Sequence, residues 1–331
     1  MIEISKNRLD ELKKGFEGKR IAVIGDMMLD GYYWGDVKRI SPEAPVPVLE
    51  VEEEFFRFGG AANVALNIQT LGGTPIPVGV IGYDNYGTIF SSLMKDKNID
   101  DDYVLVDDER PTTTKTRVIA NSQHVVRIDK ESKSNISQKI EEKIIVQLAN
   151  LVNNLDGIIL QDYNKGVLTP SLINKVISIS KQKNILTTVD PKFDNFFDFK
   201  NVTVFKPNLI ETEAVLGMKI ISDEDISSAG ERLLLELNAQ YVLLTLGEKG
   251  IAVFEKDGTE KRMATIARKV ADVSGAGDTV ISTLTIALAA GANVYEASFL
   301  ANYAAGIVCG EVGIVPIEKG KLFETVLKDS K

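Results

Sequence analysis

The 331-residue chain contains one cysteine, Cys309, and one histidine, His124. One cysteine cannot form a disulfide within the chain, a zinc cluster of Cys and His needs more ligands than these two, and Ser-His-Asp chemistry would have to rest on His124 alone. Cys309 lies in the apolar run AAGIVCG and reads as a buried structural thiol. His124, in QHVVRID, reads as a strand-surface or pocket-lining residue. Positive charge is also short, with 38 Lys and Arg against 47 Asp and Glu and a formal net charge of −9. A non-specific grip on nucleic acid or on an anionic membrane needs a clustered basic surface, so neither is an expected partner. Any anionic ligand must be met by a few local cations and by backbone amides. Long apolar runs are missing as well. The first twenty residues are charged throughout and lack the apolar core of a signal peptide, and the longest apolar segment, 281–290, is too short to span a bilayer. The expected location is the cytoplasm. Neither internal repeats nor long Pro/Gly linkers divide the chain.

With 44% hydrophobic and 26% charged residues, the composition is that of a globular protein. From Lys19 the stretch RIAVIGD has the β-branched character of a buried parallel strand. Similar runs recur at Ile76 to Ile81, Gly157 to Leu160, Ile185 to Val189, Val202 to Phe205 and Tyr241 to Thr245. Amphipathic stretches of helical length lie between them, at Ile136 to Val152, Leu172 to Ser180 and Ile226 to Leu237. Alternating strands and helices predict an α/β fold of three layers, with helices on both faces of a mostly parallel sheet. Val46 to Glu53 and Thr112 to Asp129 instead alternate like half-exposed antiparallel strands. They predict a small β-sheet lid, inserted at about 31–58 and 111–130 into a single domain of residues 1–331, with an open edge that invites pairing with a second copy of the chain.

The strongest local signal is Asp272-Val273-Ser274-Gly275-Ala276-Gly277-Asp278-Thr279, immediately before the helical run VISTLTIALAA. Small residues allow a ligand close to the backbone, and the free amides of a helix start make an anion site suited to phosphate. A carboxylate in such a site repels its ligand unless it handles a proton or a metal. In phosphoryl transfer it can accept the proton of the attacking hydroxyl, which makes Asp278 a candidate base beside the donors Gly275, Ala276 and Gly277. The alternative is an Asp that merely favours a helix N-terminus. No GxxxxGK[ST] occurs, and Val280 stands where a dinucleotide fingerprint would place its third glycine.

This string resembles the second signature of the ribokinase-like (PfkB) carbohydrate kinases, and other landmarks of that family follow in order from about Lys19 to Pro316. The run from Gly59 and Gly60 through Asn63 to Ala65 is similar to the first signature, which lines the sugar pocket. Asp30 matches the aspartate that receives sugar hydroxyls. Asn208 and Glu211 resemble the Asn-x-x-Glu motif that organises Mg²⁺ through water, and also read as a helix capping box. Thr245, Gly247, Glu248 and Gly250 are similar to the nucleotide loop, although TLGEKG read cold is a hairpin turn. Asn302 is similar to the residue near the adenosine. The resemblance implies a ribokinase-like fold, ATP and Mg²⁺, and a monovalent cation, K⁺, near the anion loop with Asp272 as a contributor.

Within the family, GDMMLD at 25–30, RISPEAPVPV at 39–48, DYNKG at 162–166 and DPK at 190–192 resemble the D-glycero-β-D-manno-heptose-7-phosphate kinases of lipopolysaccharide core synthesis. That branch implies phosphorylation of the anomeric hydroxyl. A phosphorylated sugar also needs a cationic end to its pocket, for which Arg39, Lys115, Arg117, Arg127 and Lys165 are unranked candidates. Bifunctional members continue into a nucleotidyltransferase domain, whereas this sequence stops at Lys331, so any adenylylation step is expected to fall to another protein. The rivals are a PfkB kinase acting on fructose, ribose, a nucleoside or ketodeoxygluconate, and a catalytically silent sugar-binding regulator on the same fold.

Overall fold

A computed structural model describes residues 4–329 except 122, 268 and 269. In chain order the strands are β1 (Arg20–Gly25), β2 (Met27–Ile40), β3 (Pro47–Gly60), β4 (Thr74–Gly82), β5 (Val104–Asp107), β6 (Thr113–Ala120) and β7 (Gln123–Lys130). They continue with β8 (Gly157–Gln161), β9 (Leu186–Asp190), β10 (Val204–Phe205), β11 (Tyr241–Thr245), β12 (Ile251–Glu255) and β13 (Glu260–Met263). The helices are α1 (Lys6–Gly15), α2 (Ala61–Thr70), α3 (Asn85–Asp96), α4 (Gln138–Leu151) and α5 (Pro170–Gln182). They end with α6 (Leu209–Leu216), α7 (Asp223–Leu237), α8 (Ala276–Ala289), α9 (Val294–Val308) and α10 (Lys319–Asp329).

The main sheet runs β13-β12-β11-β10-β9-β8-β1-β4-β5, parallel from β11 to β5 and antiparallel only at the β11-β12-β13 end. Its central strands are buried on both faces, as their continuous apolar runs require. Ile21, Val23 and Ile159 point into a core shared with α2, α8 and α9, while Ala22, Ile24 and Ile158 point into a second core shared with α4, α5 and α7. Alternate residues of one strand therefore feed two cores, and three layers result. The helix starts are written locally: Ser137 caps α4, and Thr169 with Pro170 opens α5.

The second sheet has the order β3-β2-β6-β7. β2 was not legible as a strand in the sequence, because GYYWGD does not alternate, yet it pairs with β3 over nearly its whole length. One residue, Asp26, separates β1 from β2, so the chain passes directly from the main sheet into the smaller one. All of β7 is exposed, including Val125, Val126 and Ile128. His124 sits on this exposed strand. Cys309, in contrast to the expected buried position, is only half-buried at the C-terminus of α9, where burial still pushes its thiol upward and away from reactivity. Among the described residues, no helix is long and apolar enough to cross a membrane.

Candidate active site

Parallel strands end at one edge, so β1, β8, β9 and β10 deliver Gly25, Gln161, Asp190 and Lys206 to the same side of the sheet. Gly25 pairs with Gln161 and Gln161 with Asp190 in register. Gln161 Nε2 donates to Asp190 Oδ2 at 3.1 Å, and Lys206 Nζ lies 2.9 Å from Asp190 Oδ1 in a pair whose side chains are almost wholly buried. Asp26, at the crossing between the two sheets, accepts the amides of Tyr163, Lys165 and Val167 and so fixes the loop after β8.

The N-terminus of α8 sits over this edge. Gly275 caps the helix in the left-handed region, at φ 79°, where a side chain would strain the backbone. The first intrahelical bond at this end runs from Thr279 to Gly275 O, so the amides of Gly277 and Asp278 precede it. Ala276 differs from the sequence expectation, since its amide is turned back onto Val273 O at 3.2 Å. Gly277 is exposed, and a side chain built on it would point toward Lys206 Nζ and Asp190. A fixed cation thus flanks the amide donors.

Asp278 itself is buried and caged. Its Oδ2 accepts from Asn63 Nδ2 at 2.8 Å, and its Oδ1 accepts from Tyr163 Oη at 2.7 Å and Gln161 Nε2 at 3.2 Å. Burial drives its pKa up to about 7, with Asp190 adding to the rise and Asn63, Tyr163 and Lys206 opposing it. The result is a carboxylate that can both lose and regain a proton near neutrality, which an ordinary surface aspartate cannot. Because Tyr163 stabilises the ionised form, Tyr163→Phe is expected to move the acidic limb of the pH–activity curve upward by about one unit. A pH–kcat/KM profile that leaves the limb in place would exclude this role for the phenol.

The lid presents Asp30 to the same space. Asp30 is buried, and its Oδ1 accepts from Arg117 Nη1 at 2.5 Å. Burial raises its pKa while Arg117 and Lys115 oppose the rise. Gly59, opposite Met28 in the β2-β3 ribbon, is needed here, since a Cβ on it would stand 2.3 Å from Asp30 Oδ2. Gly60 then turns the chain into α2, the helix that carries Asn63.

On the far side of Asp278, Asn208 and Glu211 form a reciprocal capping box at the start of α6. The remaining oxygen of Glu211 pairs closely with Lys192, whose ammonium also lies 5.6 Å from the ring centre of Tyr163. Burial lowers the pKa of Lys192, but Asp190 and Glu211 outweigh that and hold it charged. Both Glu211 oxygens are therefore engaged. Among the described residues there is no cluster of three or more acidic, His or Cys side chains for a metal. This donor set fits Mg²⁺ held mainly by phosphate and water, with Asn208 and Glu211 in an outer position. The two oxygens of Asp272 accept one amide each, from Ser274 and Gly313, so the side chain staples the loop.

Thr245 pairs with Asn208 at the end of β11, bringing the 245–250 turn beside α6. Gly247 and Glu248 are exposed, Gly250 is buried, and the turn joins β11 to β12 as the hairpin that its sequence resembles. Asn302 is buried and donates to Ala264 O at 2.7 Å, holding the segment after β13.

Of the lid and loop cations, Lys115 and Lys165 come together, each facing Glu131. Arg117 is engaged by Asp30, and Arg127 grips Asp129 with two hydrogen bonds. Arg39 does not join them. It is exposed nine residues beyond Asp30 along β2, roughly 30 Å away at strand rise. Gln161, Tyr163, Asp190, Lys192 and Lys206 were given no role by sequence reasoning, although a polar residue closing an apolar parallel strand was a usable signal at Gln161, Asp190 and Lys206.

A family model described as pfkB family carbohydrate kinase matches residues 19–319. The chain is 44% identical over 291 residues to the bifunctional protein HldE of Geobacter metallireducens, covering 88% of this chain and 59% of that protein. Against the bifunctional protein HldE of Helicobacter pylori (strain Shi470), identity is 42% over 295 residues, covering 89% and 64%. The chain thus spans about three fifths of the length of such curated relatives. In three dimensions it is similar to Arabidopsis thaliana ribokinase complexed with ribose and ATP, with a TM-score of 0.73 at 20% identity over 93% of this chain and 98% of the other. It is equally similar to Escherichia coli phosphofructokinase-2 in complex with fructose-6-phosphate, with a TM-score of 0.75 at 17% identity over 94% and 99%. At those identities the likeness concerns the fold.

Proposed function

The chain belongs to the pfkB family of carbohydrate kinases, and from that we propose that it transfers the γ-phosphoryl group of ATP to the anomeric hydroxyl of D-glycero-β-D-manno-heptose 7-phosphate, forming the 1,7-bisphosphate. The observation that carries the chemistry is the buried Asp278, caged by Asn63, Gln161 and Tyr163 at the open N-terminus of α8. Support for the sugar comes from the RISPEAPVPV and DYNKG runs and from the identity to proteins named HldE. An enzyme fed by ATP and a sugar phosphate belongs in the cytoplasm.

In this reading Asp30, oriented by Arg117, accepts hydroxyls of the sugar, and Asn63 fixes Asp278 beside the reacting oxygen. Asp278 accepts the hydroxyl proton as the oxygen attacks. The amides of Gly277 and Asp278, with Lys206 alongside, meet the charge on the transferring group. Lys192 sits between Glu211 and Tyr163 and can screen repulsion between the two substrates. Asn208 and Glu211 would hold Mg²⁺ through water, where it supplies neutralisation of the nucleotide phosphates. The 245–250 turn and the segment held by Asn302 would border the nucleotide. No step runs through a monovalent cation.

A substrate panel tests the reading. Heptose 7-phosphate should give the highest kcat/KM, and faster turnover of unphosphorylated fructose, ribose, a nucleoside or ketodeoxygluconate would defeat it. ATP consumption at background with every sugar, despite binding, would favour a silent regulator. The exposed valines and isoleucine of β7 further support a homodimer closed through the lid sheets. A monomer mass in sedimentation equilibrium at micromolar concentration would remove that assignment.

A further inference from the structure

The register of the lid places Arg57, Asp30, Lys115 and Asp129 in one row across β3, β2, β6 and β7. Strands in a sheet lie about 4.8 Å apart, so Lys115 stands one strand beyond Asp30, on the side away from β3 and the Asn63–Asp278 contact. Lys165 approaches from the main sheet, two residues after Tyr163. Its amide is held by Asp26 at 3.1 Å and its carbonyl accepts from Arg110, so its backbone is fixed on both sides. The two ammonium groups meet at one oxygen, Glu131 Oε2, at 2.8 Å from Lys165 Nζ and 3.6 Å from Lys115 Nζ. Lys115 Nζ lies equally far, 3.6 Å, from Asp129 Oδ2, whose carboxylate Arg127 already holds with two hydrogen bonds.

That pairing is close but poorly aimed, since the buried Oε2 receives no hydrogen bond of good angle. Burial raises the pKa of Glu131, but Lys165 and Lys115 outweigh it, so the carboxylate is an anion at neutral pH. Glu131 lies on the loop that leaves β7, outside any helix or strand, and can be displaced without unpairing the lid. The other cations are committed elsewhere. Arg117 grips Asp30, Arg127 chelates Asp129, and Arg57 donates to Ile314 O on the anion-loop side.

Resting on the substrate reading above, we propose that Lys115 and Lys165 form the site for the substrate's own phosphate, and that Glu131 is an internal anion which that phosphate displaces. A sugar with its reacting hydroxyl at Asp278 and other hydroxyls on Asp30 then directs its far end at the two lysines. The dianion satisfies both ammonium groups, which one carboxylate oxygen does not. A sugar without the phosphate leaves the Glu131 contact in place and gains nothing from the lysines. Discrimination between phosphorylated and unphosphorylated sugars therefore resides in this cluster, remote from the phosphoryl-transfer centre.

The test is calorimetric titration of nucleotide-free protein with heptose 7-phosphate and with the same heptose lacking phosphate, reading the ratio of the two affinities. Wild type should favour the phosphorylated sugar by about 100-fold, and Lys115→Met with Lys165→Met together should cut that ratio to below about fivefold. Glu131→Gln should raise the ratio by about fivefold, because a neutral side chain competes less well for the ammonium groups. A wild-type ratio near one would overturn the sugar-phosphate reading and this site with it. A strong wild-type preference that the double variant keeps within twofold would leave the reading intact and overturn the site alone. Should the double variant not fold, Glu131→Gln decides, and a ratio that stays level or falls overturns the displacement.

Discussion

Asp278→Asn is expected to lower kcat by roughly 10²- to 10⁴-fold while ATP binding persists. Asparagine keeps the size and one acceptor oxygen of the side chain but cannot take a proton from the attacking hydroxyl. The remaining catalysis would come from positioning and from the amides at the start of α8. The pH dependence is a sharper check. The group must be ionised to act, and burial places its pKa at about 7, so kcat/KM of wild type should rise as pH increases through 7 and level off above 8. An aspartate of ordinary pKa would give no such limb in this range. In the variant the limb should vanish along with most of the rate. Stopped turnover assays from pH 5.5 to 9 decide it, and near-normal turnover by the variant would remove Asp278 as the base.

Lys206→Met should destabilise the fold by about 3–5 kcal/mol, as removal of one partner from a buried ion pair does. The Lys206 and Asp190 side chains are 3% and 9% exposed. The variant leaves Asp190 without its direct ion-pair partner, with the Gln161 amide as its side-chain donor and only the through-space charge of Lys192. The stranded charge also sits beside Asp278, whose pKa Asp190 already raises and Lys206 lowers. The limb described above should therefore move to higher pH in whatever folded protein survives. Replacing both partners, as Asp190→Leu with Lys206→Met, should recover most of the lost stability because no unpaired charge remains. It should not recover turnover, since the cation beside Gly277 is still missing. Urea melts of the single and double variants measure the first effect and steady-state rates the second. Equal stability of the single variant and wild type would show that the pair carries little energy.

The pair also explains why much of the site escaped sequence reading. Asp190 and Lys206 are sixteen residues apart on β9 and after β10, and neither carries a motif that marks it as reactive. Only the parallel register brings them level with Gln161 and beneath Asp278. Tyr163 was visible as part of DYNKG, but its contact with Asp278 spans 115 positions of sequence. The cations posed the same problem more severely. Five basic residues looked equivalent in sequence, because a lysine on a strand shows neither which way it faces nor which carboxylate has claimed it. Strand alternation and pairing separate them, leaving Arg39 at the lid tip and Lys115 beside Lys165. β2 was hidden for a related reason. Its glycines and aromatic residues make no period-two pattern, and it is a strand because β3 and β6 supply partners on both sides.

Sequence alone settled whatever rests on neighbours along the chain. The buried parallel strands, the helices expected at Ile136 to Val152 and Leu172 to Ser180, and the small-residue turn into α8 all follow from local preference and hydrophobic period, which act over a few residues. It also bounded the chemistry by omission, since a chain with one His and one Cys must draw on carboxylates, lysines and amides. Tertiary structure alone decided which of those groups meet, which are already paired, and how far burial moves Asp278 toward neutrality. Those quantities depend on distance and on exclusion of water, and neither exists until residues far apart in the chain are packed together.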